Sequence, residues 1–275
     1  MTEPMRRLSI NQWSLKTTGY PEFVAAVAAA GIESVGLWRQ TVAAHGVELV
    51  RKLVDDAGLR VSSLCRGGFL TQPDQQAIDD NLRAIDEAHA LGTEVLVMVV
   101  GGLERGQSIR EVRAELPETL AKLIPHAEQA GVKLALEPMH PMFAADRAVL
   151  STLDDALDVA AATGSQQVGV VVDTYHIWWD PNVLTAIARA GREGRILSYQ
   201  VSDWNLPLAA EPLNSRGVMG DGFIDFTELT TANSAAGYRG DVEVEIFNEQ
   251  LWAMPAAQSL GLIRERFERL IAPFI

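Results

Sequence analysis

The feature that most restricts what this chain can fold into is a regular alternation. Eight times over, a short run of β-branched or apolar residues gives way to a longer run with helical periodicity. Strands are expected near Leu8–Trp13, Glu33–Trp38, Arg60–Cys65, Glu94–Val100, Val132–Glu137, Val168–Asp173, Arg195–Ser202 and Asp241–Ile246. Helices fall between them, near Pro21–Ala30, Val47–Ala57, Asp74–Leu91, Ile109–Ala130, Leu153–Thr163, Pro181–Ala190, Phe226–Ala236 and Ala256–Ile271. In the third helix Ile78, Leu82, Ile85 and Leu91 form one stripe, with Asp79, Asp80, Arg83 and Asp86 off it. Several helices run into a glycine just before a strand, as at Ala57-Gly58 and Leu91-Gly92, where a helix end needs a left-handed residue. Pro21 and Pro181 suit a first turn, whereas Pro117 and Pro125 predict a kinked or split fourth helix.

Strands such as Val168–Val172 are apolar throughout, which suits a parallel sheet covered on both faces. Eight βα units with no break in composition, over 275 residues, point to one (β/α)8 TIM barrel spanning the chain as a single domain. The alternative, an open doubly wound sheet, usually carries a glycine-rich turn after its first strand, and Asn11-Gln12-Trp13-Ser14 is not one. The longest irregular stretch, Trp204–Ile224, follows the seventh strand.

Composition removes several function classes. A formal net charge of −13 argues against a nucleic-acid partner, which would require clustered Lys and Arg. No run of about 18 apolar residues is present, so no membrane association is expected. The N-terminus lacks the apolar core of a secretory signal, and the lone Cys65 excludes an internal disulfide; both lead to an expected cytoplasmic location.

In a barrel of this kind, chemistry collects at the C-terminal ends of the strands. The last four strands end in Leu136-Glu137-Pro138-Met139-His140, Val172-Asp173-Thr174-Tyr175-His176, Tyr199-Gln200-Val201-Ser202-Asp203 and Val244-Glu245-Ile246-Phe247-Asn248. A single carboxylate at a strand end is more often a helix cap or a loop ion pair. Here four adjacent strands carry an acid or amide at the same level, and strands about 5 Å apart let such side chains converge. Three carboxylates in an apolar cup repel one another unless a cation neutralises them, so a divalent metal is expected. Oxygen donors favour Mn²⁺, Mg²⁺ or Co²⁺, with Zn²⁺ open. His176 and His140 are candidates in the same cluster; His89 and His126 lie within predicted helices and read as structural, and Cys65 as a buried spectator.

The order of these residues resembles the xylose isomerase-like barrel superfamily. It is closest to the sugar phosphate isomerase/epimerase branch, with its ketose epimerases, inosose isomerases and dehydratases. The resemblance covers essentially the whole chain and is carried by Leu-Glu-Pro-Met-His-Pro, Val-Asp-Thr-Tyr-His, Gly220-Asp221-Gly222-x-Ile224-Asp225 and Glu243-Val244-Glu245-Ile246. It implies that Glu137, Asp173, Gln200 and Glu245 ligate the metal, and that Glu137 and Glu245 double as the acid/base pair. It also implies that His176 and Arg216 hold substrate oxygens. One departure is Gln200, where many members carry histidine. The neutral, harder amide oxygen tilts the site toward Mn²⁺ or Mg²⁺ and leaves a part for Asp203 open. No phosphate cradle is legible.

The reaction expected from the resemblance is proton abstraction α to the carbonyl of a keto-sugar or cyclic polyol ketone, through a metal-stabilised ene-diolate, giving isomerisation or epimerisation. Trp13, Trp38, Trp178, Trp179, Trp204 and Trp252 gather near strand ends. With His140, Trp13 and Trp38 join the expected substrate-binding residues, and the tryptophans together suit a carbohydrate-like ligand. A lyase on the same scaffold, dehydrating an inosose or dehydroshikimate or cleaving a 3-keto-glycoside, shares the first step. A DNA-repair endonuclease would need more histidines and a basic surface, and a non-catalytic barrel subunit would not need intact ligand positions. A homo-oligomer is left open.

Overall fold

A strand as apolar as Val168–Val172 must bury both faces, and all eight such strands do so by closing on one another. The computed structural model describes residues 2–275. In it, β1 (Leu8–Asn11), β2 (Ser34–Trp38), β3 (Arg60–Gly68), β4 (Val95–Val99), β5 (Lys133–Leu136), β6 (Val168–Asp173), β7 (Ile196–Val201) and β8 (Val242–Val244) form a closed parallel barrel. β1 is seated between β2 and β8, so the first and last units complete the ring. The barrel interior carries a small apolar layer of Cys65, Val97, Ala135 and Val171. The main core lies outside it, between strands and helices, where Leu96, Leu134, Val170 and Val172 are fully buried.

The helices follow their sequence signals closely. Asp74 caps Gln75–Leu91 by accepting from Ala77 N–H at 2.7 Å, and Gly92 ends it in the left-handed conformation. Thr152 and Asp155 form a reciprocal capping box at the start of Leu153–Ala162. The fourth helix is split into Ile109–Ala121 and Ile124–Ala130. Pro125 has no N–H to offer the Ala121 carbonyl one turn back, so the first segment ends there and Pro125 opens the second. Pro117 is accommodated inside the first segment.

Two boundaries matter for function. β3 runs to Gly68, three residues beyond its expected end at Cys65. A register shift between Cys65 and Gly67 brings Gly68 so close to β4 that a Cβ there would lie 1.7 Å from the Val99 carbonyl oxygen. Only glycine permits that approach. The extension carries Arg66 into the barrel mouth. Short helices at Arg39–His45, Thr174–Ile177 and Glu249–Trp252 also sit in the C-terminal loops, and none is announced by periodicity. Among the described residues no helix is long and apolar enough to cross a membrane.

Candidate active site

Glu137 is the first residue after β5, held by its N–H donating to the Met98 carbonyl at 3.1 Å. Glu245 stands in the same relation to β8, its N–H donating to Val201 at 3.2 Å. Asp173 closes β6 and caps the helical turn that follows, with Oδ1 accepting from Tyr175 N–H at 2.9 Å. That turn delivers His176 back over the strand end. Donor atoms of Glu137, Asp173 and His176 lie within 4.8 Å of one another, and all three residues are buried.

Arg216 joins these groups to Glu245. Its Nη2 lies 2.9 Å from Asp173 Oδ2, 3.3 Å from Glu245 Oε2 and 3.0 Å from His176 Nε2. The Asp173 contact is close but lacks hydrogen-bond alignment, so it is an ion pair only. The residue arrives from the long loop after β7, through a two-residue antiparallel ribbon pairing Asp203–Trp204 with Arg216–Gly217. Asp203 fixes that loop. Its Oδ2 accepts from the N–H groups of Gly220 and Gly222 at 2.8 Å, and its Oδ1 from Trp204 and Ile224 at 2.8 and 3.0 Å. Both oxygens are therefore engaged in shaping the loop that presents Arg216.

Beneath this layer lies a second one. Gln200 is in register with Asp173 on one side and with Glu243 on the other. Its Nε2 donates to Glu243 Oε1 at 3.2 Å, while its own Oε1 is buried with no partner. Glu243 also accepts from Asn11 Nδ2, Ser62 Oγ and Ser63 Oγ, each at 2.7 Å. The β2 backbone passes so near that a Cβ on Gly36 would meet the Glu243 carboxyl at 2.4 Å. Asn11 links the two layers, donating to Glu243 and, at 3.0 Å, to Glu245 Oε1.

Burial sets the electrostatics. It pushes the Glu137 carboxyl up to about 8, helped by the adjacent Asp173 charge. It also raises Glu245 well above the usual carboxylate range; Arg216 opposes the rise, while Glu137 and Asp173 add to it. His176 is held neutral by burial and by the neighbouring Arg216 charge. A neutral imidazole offers one lone pair, so its two approaches from donors cannot both be full hydrogen bonds. The shorter contact, with Arg216 at Nε2, takes it, and the His140 N–H at 3.3 Å from Nδ1 is the weaker approach. For Arg216 itself burial alone would lower the pKa, but the carboxylates of Asp173 and Glu245 more than reverse this and keep it charged.

Above the charged layer opens a cavity of about 520 Å³, counting the space that reaches solvent. Glu137, His176, Arg216, Glu245 and Trp38, all among the expected site residues, line it. Trp13 stands behind the wall, edge-on to Trp38 with ring centroids 5.1 Å apart. His140 lies outside too, its ring packed on Trp204 and Trp179, and it reaches the site through its backbone contact with His176. Sequence reasoning did not single out Asn11 and Glu243, nor Arg66, Arg147 and Phe247 on the cavity wall. Asn11 could have been found by the same rule that found Gln200: it is a polar residue ending an apolar strand.

The residues present fit a divalent cation. Three buried carboxylates face one another with a single guanidinium among them, Gln200 Oε1 is without a partner, and Arg216 pairs with Asp173 and Glu245 but not with Glu137. Hard oxygen donors are what such an ion takes.

A parallel eight-stranded barrel with an acidic cluster at the C-terminal ends of β5, β6 and β8 defines a sugar-isomerase-like architecture. The chain belongs to the xylose isomerase-like TIM barrel family, whose model matches residues 24–266. A solved protein from Sinorhizobium meliloti 1021 is 42% identical, with 97% of this chain and 98% of that chain covered and a TM-score of 0.92. The IolI protein, solved with a zinc atom bound, is 18% identical, with a TM-score of 0.85 over 98% of this chain and 99% of that one. Inosose isomerase of Bacillus velezensis is 24% identical over 73% of this chain and 70% of its own length. 3-Dehydroshikimate dehydratase of Pseudomonas putida is 25% identical over 87% of this chain, but only 38% of the larger protein.

Proposed function

We propose that the protein is an isomerase or epimerase that moves a proton next to the carbonyl of a keto-sugar or cyclic polyol ketone, with a divalent metal ion in the acidic cluster. The observation that carries the reading is the placement of Glu137 and Glu245, both buried, on the wall of one cavity over Asp173, His176 and Arg216. Glu137, Asp173 and Glu245 would hold the ion, with Gln200 Oε1 as the neutral donor, and the hard oxygen set favours Mn²⁺ or Mg²⁺. Bound there, a cation would polarise the ketone and its neighbouring hydroxyl.

The remaining chemistry belongs to the chain. Glu245 accepts from Asn11 and pairs with Arg216, and both contacts favour its ionised form. Glu137 makes no ion pair with Arg216, and burial beside Asp173 raises its carboxyl to about 8. Because Asn11 and Arg216 face its carboxylate, Glu245 is assigned as the base that removes the α proton, and Glu137 as the acid that returns one from the other wall. His176 and Arg216 orient the substrate oxygens, and Trp38 with Phe247, ring centroids 5.8 Å apart, gives an apolar face for the C–H side of the ring and excludes water. Such acid–base help is worth about 10²–10⁴-fold.

The test is metal content by mass spectrometry, followed by exchange of substrate C–H protons with deuterated water. Wild type should carry about one equivalent of metal, Asp173→Ala should lose it, and ketoses or inososes should exchange in the first case only. A wild-type protein that takes up no divalent metal after reconstitution overturns the assignment. The likeness to a dehydratase favours one second reading, in which the same base acts and a β-hydroxyl leaves as water. Product analysis separates the two: an isomer keeps the mass of the substrate and a dehydration product does not.

A further inference from the structure

We propose that the substrate of this cavity carries an oxyanion, a carboxylate or a phosphate monoester, received by Arg66 and Arg147. The inference rests on the isomerase reading above and narrows its substrate class.

Arg66 lines the cavity from the extended end of β3, and Arg147 lines it from the loop after β5. The Arg66 guanidinium lies 4.3 Å from the centre of the Phe69 ring, and that contact is its only tie to the protein among the described residues: it makes no ion pair and no hydrogen bond. The contrast with Arg39, at the end of β2, is direct. Arg39 is also withdrawn from solvent, and it is answered by Asp80 at 2.8 Å and Glu87 at 2.6 Å. A guanidinium half removed from water on a cavity wall, with no acidic partner of its own, is open to an anionic ligand.

Arg147 has partners, but they are weak. Glu211 at 3.2 Å and Asp146 at 3.7 Å both lie on the exposed rim, and Arg147 Nε is buried with no acceptor. Burial lowers the Arg66 pKa, and repulsion from the neighbouring Arg147 charge adds to this. Two like charges are brought together on one wall where an anion would join them.

The charge balance of the floor supports this. Arg216 and a divalent cation would together answer Asp173, Glu245 and Glu137, leaving Arg66 as a surplus positive charge at the mouth. A neutral sugar would leave it so. A guanidinium fork matches the geometry of both carboxylate and phosphate, so the wall alone defines an oxyanion, and the probes below separate the two.

The experiment titrates the metal-loaded protein with glucitol, gluconate and glucitol 6-phosphate, three ligands on one carbon skeleton, and follows tryptophan fluorescence, since Trp38 lines the cavity. At least one anionic probe should bind about tenfold tighter than glucitol. Gluconate alone identifies a carboxylate site, and glucitol 6-phosphate alone a phosphate site. Arg66→Gln should collapse the preference toward unity, and Arg66→Lys, which keeps the charge without the fork, should retain part of it. If Arg66→Gln does not fold, Arg66→Lys and Arg147→Gln carry the same comparison. Equal binding of acid and neutral probes, absence of binding by both anions, or a preference that survives the Arg66 and Arg147 substitutions overturns the subsite. Exchange on neutral ketoses as efficient as on their acids also overturns it, while leaving the isomerase reading intact. Arginine-dependent anion binding with no exchange on any ketone leaves the subsite standing and removes the reaction.

Discussion

Glu243 and Glu245 sit two residues apart at the end of one strand, both directed into the barrel and both almost wholly buried, yet they live in opposite environments. The lower one, Glu243, is surrounded by donors from Asn11, Ser62, Ser63 and Gln200. The upper one, about 7 Å further along the strand, shares its layer with two more carboxylates and has only Asn11 and Arg216 on its side. A buried carboxylate whose oxygens are all answered is part of the scaffold. One that faces other carboxylates across a cavity is under electrostatic load, and the load is relieved by a cation or a proton. Burial alone therefore does not mark function in this barrel; the balance of donors does.

The comparison breaks most visibly at the upper layer. Glu245→Gln removes the base and one metal donor while keeping the shape, so proton exchange should fall by about 10²–10⁴-fold. The same change removes a carboxyl whose ionised form burial disfavours, so the metal-free protein should unfold at equal or higher urea concentration than wild type. A marked loss of stability would mean that Glu245 is structural after all. Glu243→Ala should show the reverse signature. Four donor groups lose their acceptor, and the fold should lose about 3 kcal/mol or more, read from urea midpoints. If Glu243→Ala is as stable as wild type, the distinction between the layers fails.

Protonation sharpens the contrast without any mutation. In the metal-free protein Glu137 keeps its proton up to about pH 8. A metal held by Glu137 and Glu245 must displace the protons of both, so apparent affinity should climb by up to about a hundredfold per pH unit toward pH 8 and less steeply above it. The sign for stability follows from the same shift. A carboxyl whose folded pKa lies above its unfolded value binds more protons when folded, so the metal-free protein should be most stable near pH 5 and weaken as pH rises to about 8 through Glu137, with Glu245 continuing the loss. Bound metal should flatten that dependence. Calorimetry in two buffers of different ionisation enthalpy reads the released proton; an affinity flat between pH 6 and 8 would show that Glu137 is not displaced.

The upper layer was legible in the sequence because of where its residues fall. Glu137, Asp173 and Glu245 each interrupt an apolar run at the point where a strand stops, and a barrel forces strand ends to one face. The barrel itself followed from the alternation of periods and the glycines that end helices. What was not legible has physical causes. The end of β3 was placed too early because Gly67 and Gly68 look like a turn, whereas they mark a close approach to β4 that carries Arg66 onward. Arg147 lies in an irregular loop whose path is set by tertiary contacts, not by any period. Glu243 was hidden by alternation: it has the same parity as Glu245, and only the register with β7 and β1 shows that its partners are donors.

The smallest expected effect is at the residue joining the two layers. Asn11 donates to both glutamates and accepts from the Trp38 indole N–H at 2.8 Å. In Asn11→Ala, Glu243 still has Ser62, Ser63 and Gln200, so the loss of stability should be about 1 kcal/mol. Glu245 is left with Arg216 alone, its ionised form is less favoured, and Trp38 loses the acceptor that sets its ring. Exchange at neutral pH should therefore drop by about tenfold and recover in part as pH rises, since the missing donor is one that favoured the anion. A drop that pH does not recover would assign the loss to Trp38 and its wall of the cavity. A large loss of stability with unchanged exchange would show that Asn11 serves the lower layer only, and that the upper glutamate is held by Arg216 without help from β1.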